Sequence, residues 1–329
     1  MSIKRASYHT VAVANVQRGG AKKTRSTRTS YGREFVDFCL WNEYPMSDIR
    51  FIRAEWVEAW IHQLKEIGLS TATINNKVSC IRALARTRGV DMKAVGLENS
   101  RSLGLEKRSR AGTKVPVTDE VFDGAIESAM KMGEVGFACA LKLERYLGIR
   151  GQEALMSTHS LEKFARQAKQ ITNREGEKIQ IKDGTKGGRP RYVQVIGEYA
   201  EETFRAILDA LECAKDHRGF LIEGKDGSGL KGARAKYHRL AAKVGLVGKF
   251  APHSLRYRYT ADKLMELTKD GVPKNEALAI AAELLGHGSS RITFVRTVYG
   301  TAVMSSMPST TSIQDVENLS EKLRLLASN

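Results

Sequence analysis

Between Ala251 and Gly300 the chain carries two histidines, an arginine and a tyrosine in a fixed order: His253, Arg256, His287 and Tyr299. His253 and Arg256 stand three apart, so on a helix they share one face. His287 follows Leu284-Leu285-Gly286, the pattern of a helix that stops on glycine. Tyr299 closes a short segment that restarts from Ser289-Ser290, two good N-cap residues. A cationic side chain, imidazoles that handle protons and a hydroxyl nucleophile suit attack on a phosphodiester.

Two further stretches complete the set. Arg150 and Glu153 lie in Leu147-Gly148-Ile149-Arg150-Gly151-Gln152-Glu153-Ala154-Leu155, and Lys186 lies in Gly184-Thr185-Lys186-Gly187-Gly188-Arg189-Pro190-Arg191. A phosphodiester gathers negative charge on its non-bridging oxygens in the transition state. Two guanidiniums, Arg150 and Arg256, can grip those oxygens with fixed fork geometry and never lose their charge. Tyr299 attacks phosphorus and forms a covalent link, which splits one hard step into two. That link keeps the bond energy, so religation needs no ATP. Lys186 protonates the leaving 5′-oxygen. His253 either takes the tyrosine proton or hydrogen-bonds the phosphate, and His287 donates to a non-bridging oxygen. Glu153 orients His253 or an arginine. The chemistry needs no metal or other cofactor, and no metal-ligand spacing is present.

These five boxes resemble those of the tyrosine recombinases, the family of phage integrases, Xer proteins and Cre. Arg150 and Glu153 resemble its first box, Gly184 to Arg191 its lysine hairpin, His253-Ser254-Leu255-Arg256 its His-x-x-Arg box, and Leu284 to His287 its Leu-Gly-His box. Tyr299 falls where the nucleophile is expected. Two features depart from the pattern: the 12 positions from His287 to Tyr299, a few more than usual, and a longer segment around Lys269 to Asn275. Taken singly, Arg150 reads as surface, Tyr299 as core, His287 as a helix-end partner and Lys186 as a solvated turn. All of them in this order, on a basic chain, favour the joint reading.

The composition agrees with a polyanionic partner. The 329 residues hold 53 Lys+Arg against 37 Asp+Glu, a formal net charge of +16. Eight basic residues precede Glu34, the first acidic one. The four cysteines, Cys39, Cys80, Cys139 and Cys213, form no CxxC pair and read as buried thiols of a reducing cytosol. No apolar run is long enough to span a bilayer, which leaves a cytoplasmic, nucleoid-associated protein as the expectation.

The elements that must position the site emerge from periodicity. The expected fold is mainly α with a small β component: an all-helical N-terminal core-binding domain and a mixed α+β catalytic domain. Residues 1–23 read as a flexible basic arm and 24–98 as a helical DNA-binding domain, with helices near 27–41, 54–67 and 71–88. Residues 99–116 read as a linker and 117–312 as the catalytic domain, ending in a Ser/Thr-rich tether. A final helix at 313–327, within the segment 313–329, either packs in cis or docks on a neighbouring protomer. Helices are expected near 119–131, 135–147, 198–215, 230–244, 254–268, 275–285 and 291–299, with a hairpin at 178–182 and 191–195. Candidate phosphate contacts are Arg25, Arg28, Lys77, Arg82 and Arg86 in the first domain, and Lys236 and Arg239 on a basic helix. A solvated charged face is an equal reading for each. The helix at 71–88 is the candidate major-groove reader.

The function this implies is a site-specific DNA recombinase that cleaves and rejoins duplex DNA through a 3′-phosphotyrosyl intermediate. The resemblance further implies a homotetramer on two recombination sites, with accessory DNA-bending or directionality proteins as partners. A type IB topoisomerase-like or hairpin-end-forming strand transferase shares this chemistry. A DNA-binding regulator with a vestigial site shares only the binding.

Overall fold

The computed structural model describes residues 3–105, 115–170, 178–224, 228–288 and 291–298. The chain forms two compact units divided between Ser109 and Arg110.

The first unit is all helical: α1 (Ile3–Arg18), α2 (Lys22–Trp41), α3 (Ala54–Glu66) and α4 (Thr71–Thr87). Its core forms where the 3.6-residue stripes of these helices meet. Helix α3 buries Trp56, Val57, Trp60, Ile61 and Leu64, and α4 buries Ile74, Val78, Ile81 and Leu84. Each such side chain contributes about 1.5–3 kcal/mol. Ser70 starts α4 by accepting the Thr73 N–H on its hydroxyl at 3.3 Å.

Three expectations change here. Residues 3–18 are a helix rather than part of a flexible arm. Ser7, Val11, Ala14 and Asn15 make a narrow buried stripe at helical spacing, hidden in the sequence by small and polar residue types. The Tyr8 hydroxyl donates to Asp37 of α2 at 2.6 Å, and Lys4 pairs with the same carboxylate at 2.8 Å. The start of the expected linker belongs to the first unit, because Leu103 and Leu105 are buried in its core. Finally, Arg28 and Lys77 do not stand on an open face. Lys77 is in phase with Ile74 and Ile81. It is buried, paired with Glu34, and lies over the rings of Tyr31 and Trp60. Arg28 is buried and donates to Asn15 Oδ1 at 2.9 Å and to the Gly19 carbonyl at 3.2 Å.

The second unit contains α5 (Asp119–Lys131), α6 (Val135–Leu147), α7 (Gly151–Met156), α8 (Leu161–Gln170), strands β1 (Lys178–Ile181) and β2 (Arg191–Gln194), then α9 (Ala200–Asp216), α10 (Gly229–Lys243), α11 (His253–Lys269), α12 (Lys274–Leu284) and α13 (Ile292–Val298). The strands pair antiparallel, with Ile179 opposite Val193 and Ile181 opposite Arg191. Helix α6 runs through the core and buries Phe137, Leu141, Leu143 and Leu147. A second cluster, Tyr257, Leu264, Leu278, Leu285 and Val295, joins α11, α12 and α13. Helices α7 and α8 have no counterpart in the periodicity reading. Among the described residues, no helix is long and apolar enough to cross a membrane. The tether and final helix expected over 300–327 lie outside the described residues.

Candidate active site

Helix α6 must end abruptly if the first box is to turn away from the core. It does so at Gly148, which has φ +59°. A Cβ there would lie 2.2 Å from the Tyr259 ring, so both the backbone twist and the packing demand glycine. Two residues on, Arg150 caps α7 with extended backbone. Glu153, three positions beyond the cap, reaches back: its Oε2 accepts the Arg150 N–H at 2.7 Å. Its Oε1 accepts Arg150 Nη1 at 2.6 Å. The Glu153 side chain is fully buried, while that of Arg150 keeps 27% of its surface open. The hairpin docks beside it, with Gln152 Nε2 donating to the Gly184 carbonyl at 3.3 Å.

Arg256 occupies the first turns of α11 and is fully buried. Its Nη1 donates to the Gly148 carbonyl and its Nη2 to the Leu285 carbonyl, tying the end of α6 to the end of α12. Arg150 Nη2 reaches the same Leu285 carbonyl at 3.4 Å. The two arginines therefore converge on one point of the chain, immediately before Gly286 and His287. Arg256 is thus a clamp between helix ends.

His287 is half-buried, with its ring edge-on to Phe294 at 5.0 Å. Burial lowers its pKa first, and Arg256, Arg150, Arg291 and Arg191 press it further, to about 4. It is neutral at pH 7 and offers one N–H as a donor. His253 opens α11 one turn before Arg256, exposed, with its ring edge against Tyr257 at 5.1 Å. Lys186 has its backbone in the turn between β1 and β2, where Gly187 takes φ +77°. The Lys186 side chain and all of Tyr299 lie outside the described residues.

The remaining candidates are dispersed. Arg25, Arg86 and Arg239 are exposed. Lys236 pairs with Glu134 at 2.8 Å, and Arg82 donates to the Glu98 carbonyl.

Two groups beside the site were not evident from the sequence. Arg191, which reads there only as part of a strand, donates through Nη2 to Glu153 Oε2 at 2.7 Å. Burial lowers its pKa to about 9, helped by Arg256 and Arg150 and opposed by Glu153. The available signal was its phase, since Arg191 alternates with exposed Tyr192 and shares a strand face with buried Val193. Glu144 is the other. It is buried and accepts the Tyr237 hydroxyl. A Cβ on Gly151 would stand 3.2 Å from Glu144 Oε1. Burial pushes the Glu144 carboxyl up to about 8, with the Tyr237 hydrogen bond acting against it.

The raised Glu144 pKa has a stability consequence. The folded chain holds a proton that the unfolded chain has already lost above the ordinary carboxyl range. This contribution to stability is therefore complete at acid pH and is lost as pH rises toward about 8. Glu144→Gln, which needs no proton, is expected to gain in melting temperature over the unsubstituted chain as pH goes from 5 to 8. Parallel melting curves across that range contradict the assignment.

Comparison with known proteins gives the family of the chain. The Integrase family profile matches residues 104–262, and the profile of the phage integrase N-terminal domain matches residues 3–94. No curated protein sequence matches the chain. Among solved structures, the Tn1549 transposon integrase in complex with transposon right end DNA superposes with a TM-score of 0.57 at 16% identity. That match covers 98% of this chain and 100% of the other. A lambda integrase dimer bound to a COC′ core site gives a TM-score of 0.52 at 14% identity, covering 90% of this chain and 94% of the other. With one profile on the helical first unit and the other spanning the arginine boxes, the chain belongs to the phage integrase family of tyrosine recombinases.

Proposed function

We propose that this protein is a site-specific DNA strand transferase that cuts and rejoins duplex DNA through a phosphotyrosyl link at Tyr299. The observation that carries the reading is the convergence of Arg150 and Arg256 on the Leu285 carbonyl, two residues before His287. A phosphate entering there meets guanidinium charge that no rotamer search has to assemble, which is the advantage of a preorganised site. Arg150 is the partly open group and offers the first grip. Arg256 holds the walls together and adds its charge from behind.

In the step itself, the Tyr299 oxygen forms a bond to phosphorus and the bond from phosphorus to the 5′-oxygen breaks. The phenolic proton leaves as the attack develops, and His253, exposed at the start of α11, either takes it or hydrogen-bonds the phosphate. Lys186, on the glycine-rich turn, supplies the proton that the departing 5′-oxygen requires. His287 donates its N–H to a non-bridging oxygen. The product is still a phosphodiester, so the reverse attack by a 5′-hydroxyl costs little, and partner strands can exchange. The two solved relatives are DNA complexes, and one is a dimer. This supports duplex recombination sites as the partner here; four protomers on two sites is what the resemblance to the tyrosine recombinases implies.

The test starts from duplexes selected out of a random pool by the full chain. The selected sequence is rebuilt with a nick just beyond the cleaved position, so that the short 5′-hydroxyl fragment diffuses away. The unsubstituted chain is expected to accumulate a denaturant-resistant DNA adduct. Tyr299→Phe is expected to form none while binding the duplex within about two-fold of the original affinity, a change under about 0.4 kcal/mol. Tight binding with no adduct from the unsubstituted chain identifies a DNA-binding regulator instead. Relaxation of plasmids lacking the selected sequence identifies a topoisomerase-like enzyme.

A further inference from the structure

Arg191 stands outside the residue set that the chemistry required, yet it touches two of the boxes. It is buried, with only 8% of the residue exposed. Through Nη2 it holds Glu153 Oε2, the same oxygen that accepts the Arg150 N–H. Oε1 is thereby left turned to Arg150 Nη1. The stem of Arg191 also lies directly under the Leu-Gly-His turn. A Cβ on Gly286, which has φ +66°, would sit 2.7 Å from Arg191 Cδ and 3.2 Å from Nε. Only glycine lets that turn rest on the arginine.

This arrangement is a poor device for stability. Arg191 Nε and Nη1 are buried with no hydrogen-bond partner among the described residues. A buried guanidinium with unused donors costs more than a packed apolar side chain in the same place. The neighbouring strand positions, Val193 and Ile181, are apolar and buried. Two guanidiniums, Arg150 and Arg191, thus share the single carboxylate of Glu153, and a third, Arg256, meets Arg150 at the Leu285 carbonyl. The excess positive charge suits an anion that is not part of the chain.

Resting on the strand-transfer reading, we infer that Arg191 is a positioning residue for phosphodiester cleavage. It fixes the Glu153 carboxylate so that Arg150 faces the phosphate, and it sets the Gly286–His287 turn on the same support. It does not touch the substrate.

Arg191→Met tests this, because methionine fills comparable space without charge and leaves Glu153 paired to Arg150. On the nicked duplex selected by the unsubstituted chain, Arg191→Met is expected to slow single-turnover adduct formation about 10–100-fold, the usual range for a residue acting through another. Duplex affinity and melting temperature stay close to the original. Arg191→Lys, which restores one charged contact to Glu153, recovers part of the loss. It also carries the test should the methionine variant fail to fold. On a Glu153→Gln background, Arg191→Met adds little further loss, since the route through Glu153 is already broken. A folded Arg191→Met with the original rate overturns the assignment, and so does a loss that multiplies in the double variant. If the unsubstituted chain forms no adduct, the strand-transfer reading itself fails. The positioning role is then decided without activity, by NMR of the Arg150 guanidinium. Its Nη protons are expected to be resolved by slow rotation in the original chain and merged in Arg191→Met. Identical Arg150 signals in both overturn the inference.

Discussion

Arg256→Ala is expected to abolish adduct formation and to destabilise the second unit by about 3–5 kcal/mol, the scale for breaking a buried charged contact. Both effects trace to the same two hydrogen bonds. The Arg256 fork closes the carboxyl end of α6 through Gly148 and that of α12 through Leu285. Alanine leaves both carbonyls without this donor, at about 1–3 kcal/mol for each buried acceptor left unmade. It also opens a void in a fully buried place. Arg256→Lys separates fold from chemistry. An ammonium keeps the charge and one carbonyl, but a single point cannot hold two acceptors at fork spacing. The lysine variant is expected to stay folded in urea titration and still to lose about 100-fold or more in cleavage rate, as when one preorganised donor is removed. A lysine variant with full cleavage activity would show that the clamp only braces helices.

Glu153→Ala is expected to be nearly as severe, because the carboxylate is fully buried and answers two guanidiniums. Its removal leaves Arg191 buried without its carboxylate partner, again about 3–5 kcal/mol in denaturant unfolding. Glu153→Gln is the informative variant. The amide keeps the shape and one acceptor, but it turns a donor toward a guanidinium and cancels the negative charge that Arg150 and Arg191 share. It is expected to fold and to cleave about 10–100-fold more slowly, with duplex affinity unchanged. Equal cleavage by the glutamine variant and the original chain would mean that Arg150 needs no steering.

The architecture was legible where one physical signal dominated. Helix α3 shows apolar residues at helical spacing and α4 has Ser70 as a cap, so both were readable to within a residue or two. The hairpin was readable from alternation around a glycine-rich turn. Helix α1 was not, because its buried stripe is made of Ser7, Val11, Ala14 and Asn15, two of them polar. Charge misled at Lys77 and Arg28, whose type suggests a phosphate-facing surface although Lys77 is in phase with the core. The first box and the His-x-x-Arg box were legible as motifs. What they do to each other was not. The Arg256 contacts span 108 and 29 residues of sequence, and no local pattern encodes such closures. Arg191 was obscured in the same way, since its meaning depends on Glu153, 38 positions earlier.

On the proposed reading, the converging arginines and His287 serve a phosphate attacked by Tyr299. The most direct measurement is to digest the denatured adduct formed on the nicked, selected duplex and to locate the DNA-bearing residue by mass spectrometry. A single modified peptide is expected, with a nucleotide 3′-phosphate on the Tyr299 oxygen. A 3′-phosphate carried by another residue, or a 5′-phosphate linkage, would contradict it.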